Sequence, residues 1–256
     1  MKPSATNTSR LPWLGGLGAA ALGIAVWQLV IWLASPPPFI LPSPLKVATT
    51  MWELRVLIAE NAMITIYEIA LGLTIGVIFG VATAVHLAMS PTARALMRPL
   101  LVFMQSVPVF ALAPLLTLWL GYGLTSKVVM AVLIIYFPVT SAFFDGLMRT
   151  PQGWLDMARI MGGSNWSVMR RIRIPAALPS LGSGLRLAAV YAPFGAVIGE
   201  WVGASKGLGY LMLYANGRAK TDLMFASFIV LALIAVALFI AADKLARRLG
   251  DETKGL

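Results

Sequence analysis

Apolar residues fall into six long runs separated by charged or Pro/Gly-rich breaks, at roughly residues 11–33, 64–89, 100–120, 128–147, 181–202 and 223–242. Each is close to the length of about 20 apolar residues that carries a helix across the hydrocarbon core of a bilayer. The pattern predicts an all-α membrane protein with six transmembrane helices, forming one domain over residues 1–256. The first run follows Lys2 and Arg10, as a secretory signal would, but its apolar stretch is longer than a signal core and Ala34 to Pro38 is a poor cleavage site. It reads as a retained helix. Between the first two runs, Pro36, Pro37, Pro38, Pro42 and Pro44 make a stiff segment. Residues 45–61 then have the spacing of a short amphipathic helix, with Val47, Met51, Leu54 and Ile58 on one side.

The basic residues orient these spans, because Lys and Arg in short loops stay on the cytoplasmic side. With the N-terminus inside, Lys2, Arg10, Arg94, Arg98, Arg149, Arg159, Arg170, Arg171, Arg173, Lys244, Arg247, Arg248 and Lys254 are cytoplasmic, thirteen in all. The other face keeps six: Lys46, Arg55, Lys127, Lys206, Arg218 and Lys220. Arg186 lies inside the fifth run. The asymmetry favours an even number of spans with both termini cytoplasmic.

Composition agrees and narrows the chemistry. Hydrophobic residues make up 59% of the chain and charged residues 12%, about half the charged share of a soluble domain. The net charge of +10 first suggests either nucleic acid or an anionic membrane surface. Its distribution explains it as a topology signal, so no nucleic-acid partner is expected. The chain has no cysteine and one histidine, His86. This excludes disulfides, thiolate metal sites and His clusters, and no metal site is expected.

The cytoplasmic segment 148–180 is the most informative. Trp154, Met157, Ala158 and Met161 recur at helical spacing, Gly162 and Gly163 break the helix, and Ser164 can cap a second one carrying Trp166, Met169 and Ile172. Pro175 and Pro179 are expected to end it before the fifth span. Two short helices with apolar residues on one face and Arg170, Arg171 and Arg173 on another suit docking into a partner's groove. An amphipathic pair lying on anionic lipid fits the same pattern.

Asp156-Met157-Ala158, three residues, Gly162, nine residues, then Ile172, one residue and Ile174-Pro175 resembles the EAA signature of the membrane permease subunits of bacterial ABC importers. That signature usually reads Glu-Ala-Ala, x3, Gly, x9, Ile-x-Leu-Pro. The departures are Asp156, Met157 and Ile174. The stretch Gln105, Pro108, Ala111, Pro114, Leu115, Trp119, Gly121, Gly123, Ser126 and Lys127, with Gly199 to Leu211, is similar to the nitrate, sulfonate and taurine type of permease. The segments 199–203 and 214–225 resemble permeases for pyrimidine precursors of thiamin. The resemblance covers about residues 41–243. It implies the type I ABC importer permease fold, and it makes Asp156, Ala158, Gly162, Ile172 and Pro175 the positions that couple to a cytoplasmic ATPase.

No Walker A pattern is present, so the chain is read as a transport subunit and not an enzyme: Gly121 to Lys127 has its Lys after Ser126 and falls in an external loop. The resemblance therefore implies separate ATP-binding subunits that hold ATP and Mg, a homodimer of permeases, and an external solute-binding protein that delivers a small polar solute. A thiamin-related pyrimidine is the solute it favours, with sulfonate, taurine or nitrate as the alternative.

Ionisable groups inside a membrane are costly and are functional candidates. Glu68 lies near the external end of the second span, where sulfonate-type relatives often place Arg, and Glu200 approaches the external end of the fifth. Two carboxylates repel an anion and can accept hydrogen bonds from an aminopyrimidine, with Tyr67, Tyr191, Phe194 or Trp201 available for stacking. Equally, both acids can snorkel to the interface or pair with Lys206 or Arg218. Arg186 and His86 read as structural charges. Gly72, Gly76 and Gly80, and Gly195, Gly199 and Gly203, form small-residue ridges for close helix packing, while Pro108, Pro114 and Pro138 can kink their helices. An ion-coupled secondary transporter, with Glu68 and Glu200 relaying protons, is the competing class. It would favour inverted repeats, and the chain shows none clearly.

Overall fold

A computed structural model describes residues 12–251. Lys2, Arg10 and Lys254 of the charge pattern and Leu11 of the first span lie outside the described residues, as does the side chain of Gln105. All regular structure in this range is helical: α1 (Pro12–Ala34), α2 (Pro44–Glu53), α3 (Arg55–Met89), α4 (Pro91–Ser106), α5 (Val109–Leu120), α6 (Leu124–Met148), α7 (Gln152–Ile160), α8 (Asn165–Val168), a π turn (Met169–Arg173), α9 (Ile174–Gly203), α10 (Leu208–Gly217) and α11 (Thr221–Asp251). Four stretches are long and apolar enough to cross a membrane: Arg55–Met89, Leu124–Met148, Asn165–Gly203 and Thr221–Gly250. Shorter apolar helices occupy Gly18–Ala34 and Val109–Leu120.

The expected third span is not one helix. Val107 and Pro108 are both extended, with φ/ψ of −80°/121° and −65°/108°, because a proline ring disfavours helical geometry in the residue before it. The break leaves α5 only 12 residues long, about 18 Å at 1.5 Å per residue. Pro114 and Pro138, by contrast, are absorbed within α5 and α6. The second run extends back to Arg55, so α3 is 35 residues long, about 52 Å. The amphipathic helix expected over 45–61 stops at Glu53: Leu54 adopts φ −102°, ψ 21° and separates α2 from α3. Val47 and Ile58 of its predicted apolar side are buried, while Leu54 is exposed.

Pro175 and Pro179 do not end the second helix of the 148–180 segment. Ile174 N–H donates to Met169 O across the π turn, and α8 passes through it into α9. Pro175 sits in the first turn of α9, directly after the π turn. Helix initiation elsewhere follows ordinary capping. Ser43 Oγ accepts from Lys46 N before Pro44, and Ser90 Oγ accepts from Ala93 N before Pro91.

Helix α6 lies between α3 and α9, and small residues set the separation. A methyl group on Gly72 would collide with Ala131, one on Gly76 with Ile135 and one on Gly80 with Val139. From the other side, a methyl on Gly195 would lie 2.8 Å from Ala131 Cα and one on Gly199 3.1 Å from Lys127 Cα. The two glycine ridges therefore perform the packing role expected of them. Ile69, Ala131, Ile135, Val139, Ala188, Ala192 and Ala196 fill this seam. Large apolar side chains point outward instead, including Leu118, Trp119, Phe228 and Leu233. Small residues inside and bulky ones outside suit a lipid solvent.

Candidate functional site

The segment 148–180 folds as two short helices meeting at a tight corner. α7 closes with Met161 N donating to Met157 O (3.0 Å) and Gly163 N to Ala158 O (2.9 Å). Gly162 has φ +77°, the left-handed geometry that glycine supplies without strain. Gly163 is required for a different reason: a Cβ there would lie 2.8 Å from Ala158 O. Ser164 then caps α8, its Oγ accepting from Ser167 N at 3.2 Å. The loop is anchored to the helix bundle by Leu155 and Met169, both buried, the latter among Ala84, Ala88, Phe143, Leu147 and Ala177.

The remaining side chains of the corner are unusually apolar for an exposed position. Ile160 is 88% and Met161 80% exposed, and Trp154, Met157 and Trp166 are exposed too. A groove of about 510 Å³ runs beside them, lined by Trp154, Met157, Ala158, Met161, Arg171 and Ile172. The structure therefore brings Ala158 and Ile172 to one groove. Asp156 lies on the exposed side of α7, accepting from Gln152 Nε2 (3.0 Å) and Arg159 Nη1 (3.3 Å). Pro175 lies in the first turn of α9. A contiguous exposed apolar surface of this kind marks a contact face for another macromolecule.

At the opposite end, Glu68 and Glu200 are each 1% exposed. Neither snorkels, and neither pairs with Lys206 or Arg218. Glu68 Oε1 accepts from Lys127 Nζ at 2.8 Å, an ion pair between α3 and α6. Glu200 reaches from the end of α9 to α10: its Oε1 accepts from Thr65 Oγ1 at 2.7 Å, and its Oε2 from Gly209 N and Tyr210 N. It thus satisfies free amides of the first turn of α10, at that helix's positive end. Asn61 Oδ1 accepts from Gly207 N (2.8 Å), and Thr65 Oγ1 also accepts from Leu208 N (2.8 Å). Arg218 stacks instead on Tyr214, at 4.3 Å from the ring. The polar residues that complete this cluster, Asn61, Thr65 and Lys127, escaped sequence reading. Lys127 figures in the sequence as an external basic residue and in the stretch that resembles sulfonate-type permeases, but not as a partner of Glu68, from which 59 residues separate it.

Tyr67, Phe194 and Trp201 lie on outward faces of the helices and are exposed. Tyr191 lines a cavity of about 370 Å³ beside the α4–α5 break, together with Val107, Leu112, Leu133, Tyr136 and Phe137. The two acids do not share a cavity with these aromatics. Arg186 is structural as expected: its Nε donates to Asp243 Oδ1 at 2.7 Å, and Arg247 Nε to Oδ2 at 2.8 Å. Among the described residues no group of three or more His, Cys, Asp or Glu side chains is placed to hold a metal ion.

Residues 72–254 match the sequence profile of the family described as "Binding-protein-dependent transport system inner membrane component". The chain is 48% identical to a probable ABC transporter permease protein of Haemophilus influenzae, over 88% of this chain and 92% of the relative. It is 33% identical to the formylaminopyrimidine transport permease protein ThiX of Halalkalibacterium halodurans, over 85% and 89%. It is 34% identical to the riboflavin transport system permease protein RibX of Chloroflexus aurantiacus, over 97% and 94%. Among solved structures, a chain of the MetNI methionine ABC transporter in an inward facing conformation superposes with a TM-score of 0.60 at 22% identity, over 78% of this chain and 98% of that one.

Proposed function

The chain belongs to the binding-protein-dependent transport system inner membrane component family, and from that premise we propose that it is one half of a homodimeric importer pathway for a small, uncharged nitrogen heterocycle of the pyrimidine type. It is the permease subunit of an ABC transporter, a multi-pass inner-membrane protein, and ATP is bound by the partner ATPase subunit. The importer complex contains ATPase subunits and a binding protein. In our reading α1, α3, the broken pair α4–α5, α6, α9 and α11 make six crossings, with both termini cytoplasmic.

The observation that carries the substrate class is the cavity at the broken span. Tyr136, Phe137 and Tyr191 line it with apolar neighbours, and no charged side chain does. A sulfonate or nitrate there would meet no cation to replace its lost hydration, whereas a heteroaromatic ring can stack on tyrosine. The relatives ThiX and RibX, whose names state heteroaromatic solutes, support the same class. Glu68 and Glu200, engaged as they are by Lys127, Thr65 and α10, serve in this reading to hold the external end together.

The test is uptake into proteoliposomes holding the permease, its ATPase and its binding protein. Labelled formylaminopyrimidine is expected to accumulate on ATP addition and taurine is not, with Tyr191→Ala reducing the pyrimidine rate. Accumulation of taurine alone would refute the solute class.

The corner α7–α8 is read as the element that couples this movement to ATP, through Asp156, Ala158, Gly162, Ile172 and Pro175. Gly162→Val imposes about 1–3 kcal/mol of backbone strain on that corner. ATP hydrolysis is expected to persist while uptake falls; uptake equal to that of the unsubstituted protein would oppose the assignment.

A further inference from the structure

The two faces of α7 look onto different cavities. Trp154, Met157 and Met161 face the apolar groove, whereas Leu155 and Arg159 look back toward the elbow between α3 and α4. There, a cavity of about 320 Å³ is lined by Arg94, Arg159, Asn165 and Arg173 together with apolar groups from Met89 and Met148. No acidic residue lines it.

We propose that this cavity is a binding site for a phosphoryl oxyanion, which would tie the ATPase-facing loop to the α3–α4 elbow. Arg94 is fixed in place, its Nε and Nη2 donating to Leu87 O and Ala88 O at 3.2 Å each while Phe144 stacks beneath it. Arg159 bridges Asp156 through Nη1 alone. A guanidinium offers five N–H donors, so both keep donors for a ligand. Arg173 is half-buried, and among the described residues it has no hydrogen-bond acceptor or acidic partner. The other arginines of this loop without a partner among the described residues, Arg149, Arg170 and Arg171, are exposed to solvent.

Arg94 and Arg159 both repel Arg173. Three guanidiniums, one of them also paired with Asp156 outside the cavity, converge on a partly desolvated space whose lining holds no acid; an anion there stabilises them, and phosphate geometry suits the guanidinium fork. The elbow joins two helices at the cytoplasmic boundary, so the phosphoryl group can come from an anionic lipid headgroup or from a free phosphate. The shared chemistry is the proposal.

Hydrogen exchange of residues 152–173, in the complete transporter held in phosphatidylcholine nanodiscs, tests it. Addition of inorganic phosphate, or replacement of part of the lipid by phosphatidylglycerol, is expected to slow exchange in this segment about tenfold, the scale of a charge-assisted hydrogen bond. Slowing by phosphate assigns a soluble source, and slowing only by phosphatidylglycerol assigns a headgroup. Arg173→Gln and Arg159→Gln are each expected to abolish the effect, while Arg170→Gln keeps it. Absence of slowing with both sources, or undiminished slowing in both Arg173→Gln and Arg159→Gln, overturns the proposal.

Discussion

Lys127 is buried to 8% exposure and its ammonium is held by one carboxylate oxygen of Glu68; the other oxygen, Oε2, is buried with no hydrogen bond found among the described residues. Removal of the cation leaves a buried, uncompensated negative charge, which costs about 3–5 kcal/mol. Lys127→Met is therefore expected to lower thermal stability in detergent sharply, and Lys127→Met with Glu68→Leu to recover much of it. A double variant no more stable than Lys127→Met would show that the pair is not a closed unit. Gly207 is a second sensitive position, with φ +115° and the Glu200 carboxylate occupying the place of any Cβ. Gly207→Ala should release α10 from α9. Limited proteolysis around residues 204–208 would detect this, and an unchanged cleavage pattern would count against the latch.

At the scale of elements, the loop helices depend on a few anchors. Leu155→Ala removes the buried contact of α7, worth about 2–5 kcal/mol when a core leucine is truncated. Faster hydrogen exchange confined to residues 152–164 is the expected result. The periodicity of Trp154, Met157, Ala158 and Met161, the Gly162–Gly163 break and the Ser164 cap were all legible in the sequence, since each is a local signal. The π turn was not. Prolines at 175 and 179 read as terminators, but the helix continues through the i to i−5 bond from Ile174 to Met169 just before Pro175 and takes Pro179 inside α9. The broken third span was also hidden: a hydropathy run cannot tell a proline that bends from one that breaks, and Pro108 breaks while Pro114 and Pro138 do not. Glu68 and Glu200 stood out as scarce charges, but their partners are set by tertiary packing between α3, α6, α9 and α10, which no spacing along the chain encodes.

For the whole molecule, the charge asymmetry makes a topological claim that a cysteine-free chain can test directly. Lys206 and Met161 are both exposed, Lys206 just beyond the end of α9 and Met161 at the α7–α8 corner that precedes its start. In intact spheroplasts a membrane-impermeant maleimide is expected to label Lys206→Cys, and Met161→Cys only after lysis. The reverse pattern would invert the orientation.

The seating of α6 against glycines on both sides has a mechanical consequence. Gly72 and Gly195 approach the same residue, Ala131, from α3 and α9, so the three helices have no slack along which to slide. Helix α9 is 30 residues long, about 45 Å; one end joins the π turn of the α7–α8 corner and the other holds α10 through Glu200. In the coupling reading proposed above, a displacement delivered to the corner is expected to pass along α9 to the α10 end. The places where it bends are then Pro179 and Pro193 within the helix and the joints at Val107–Pro108 and at residues 204–207.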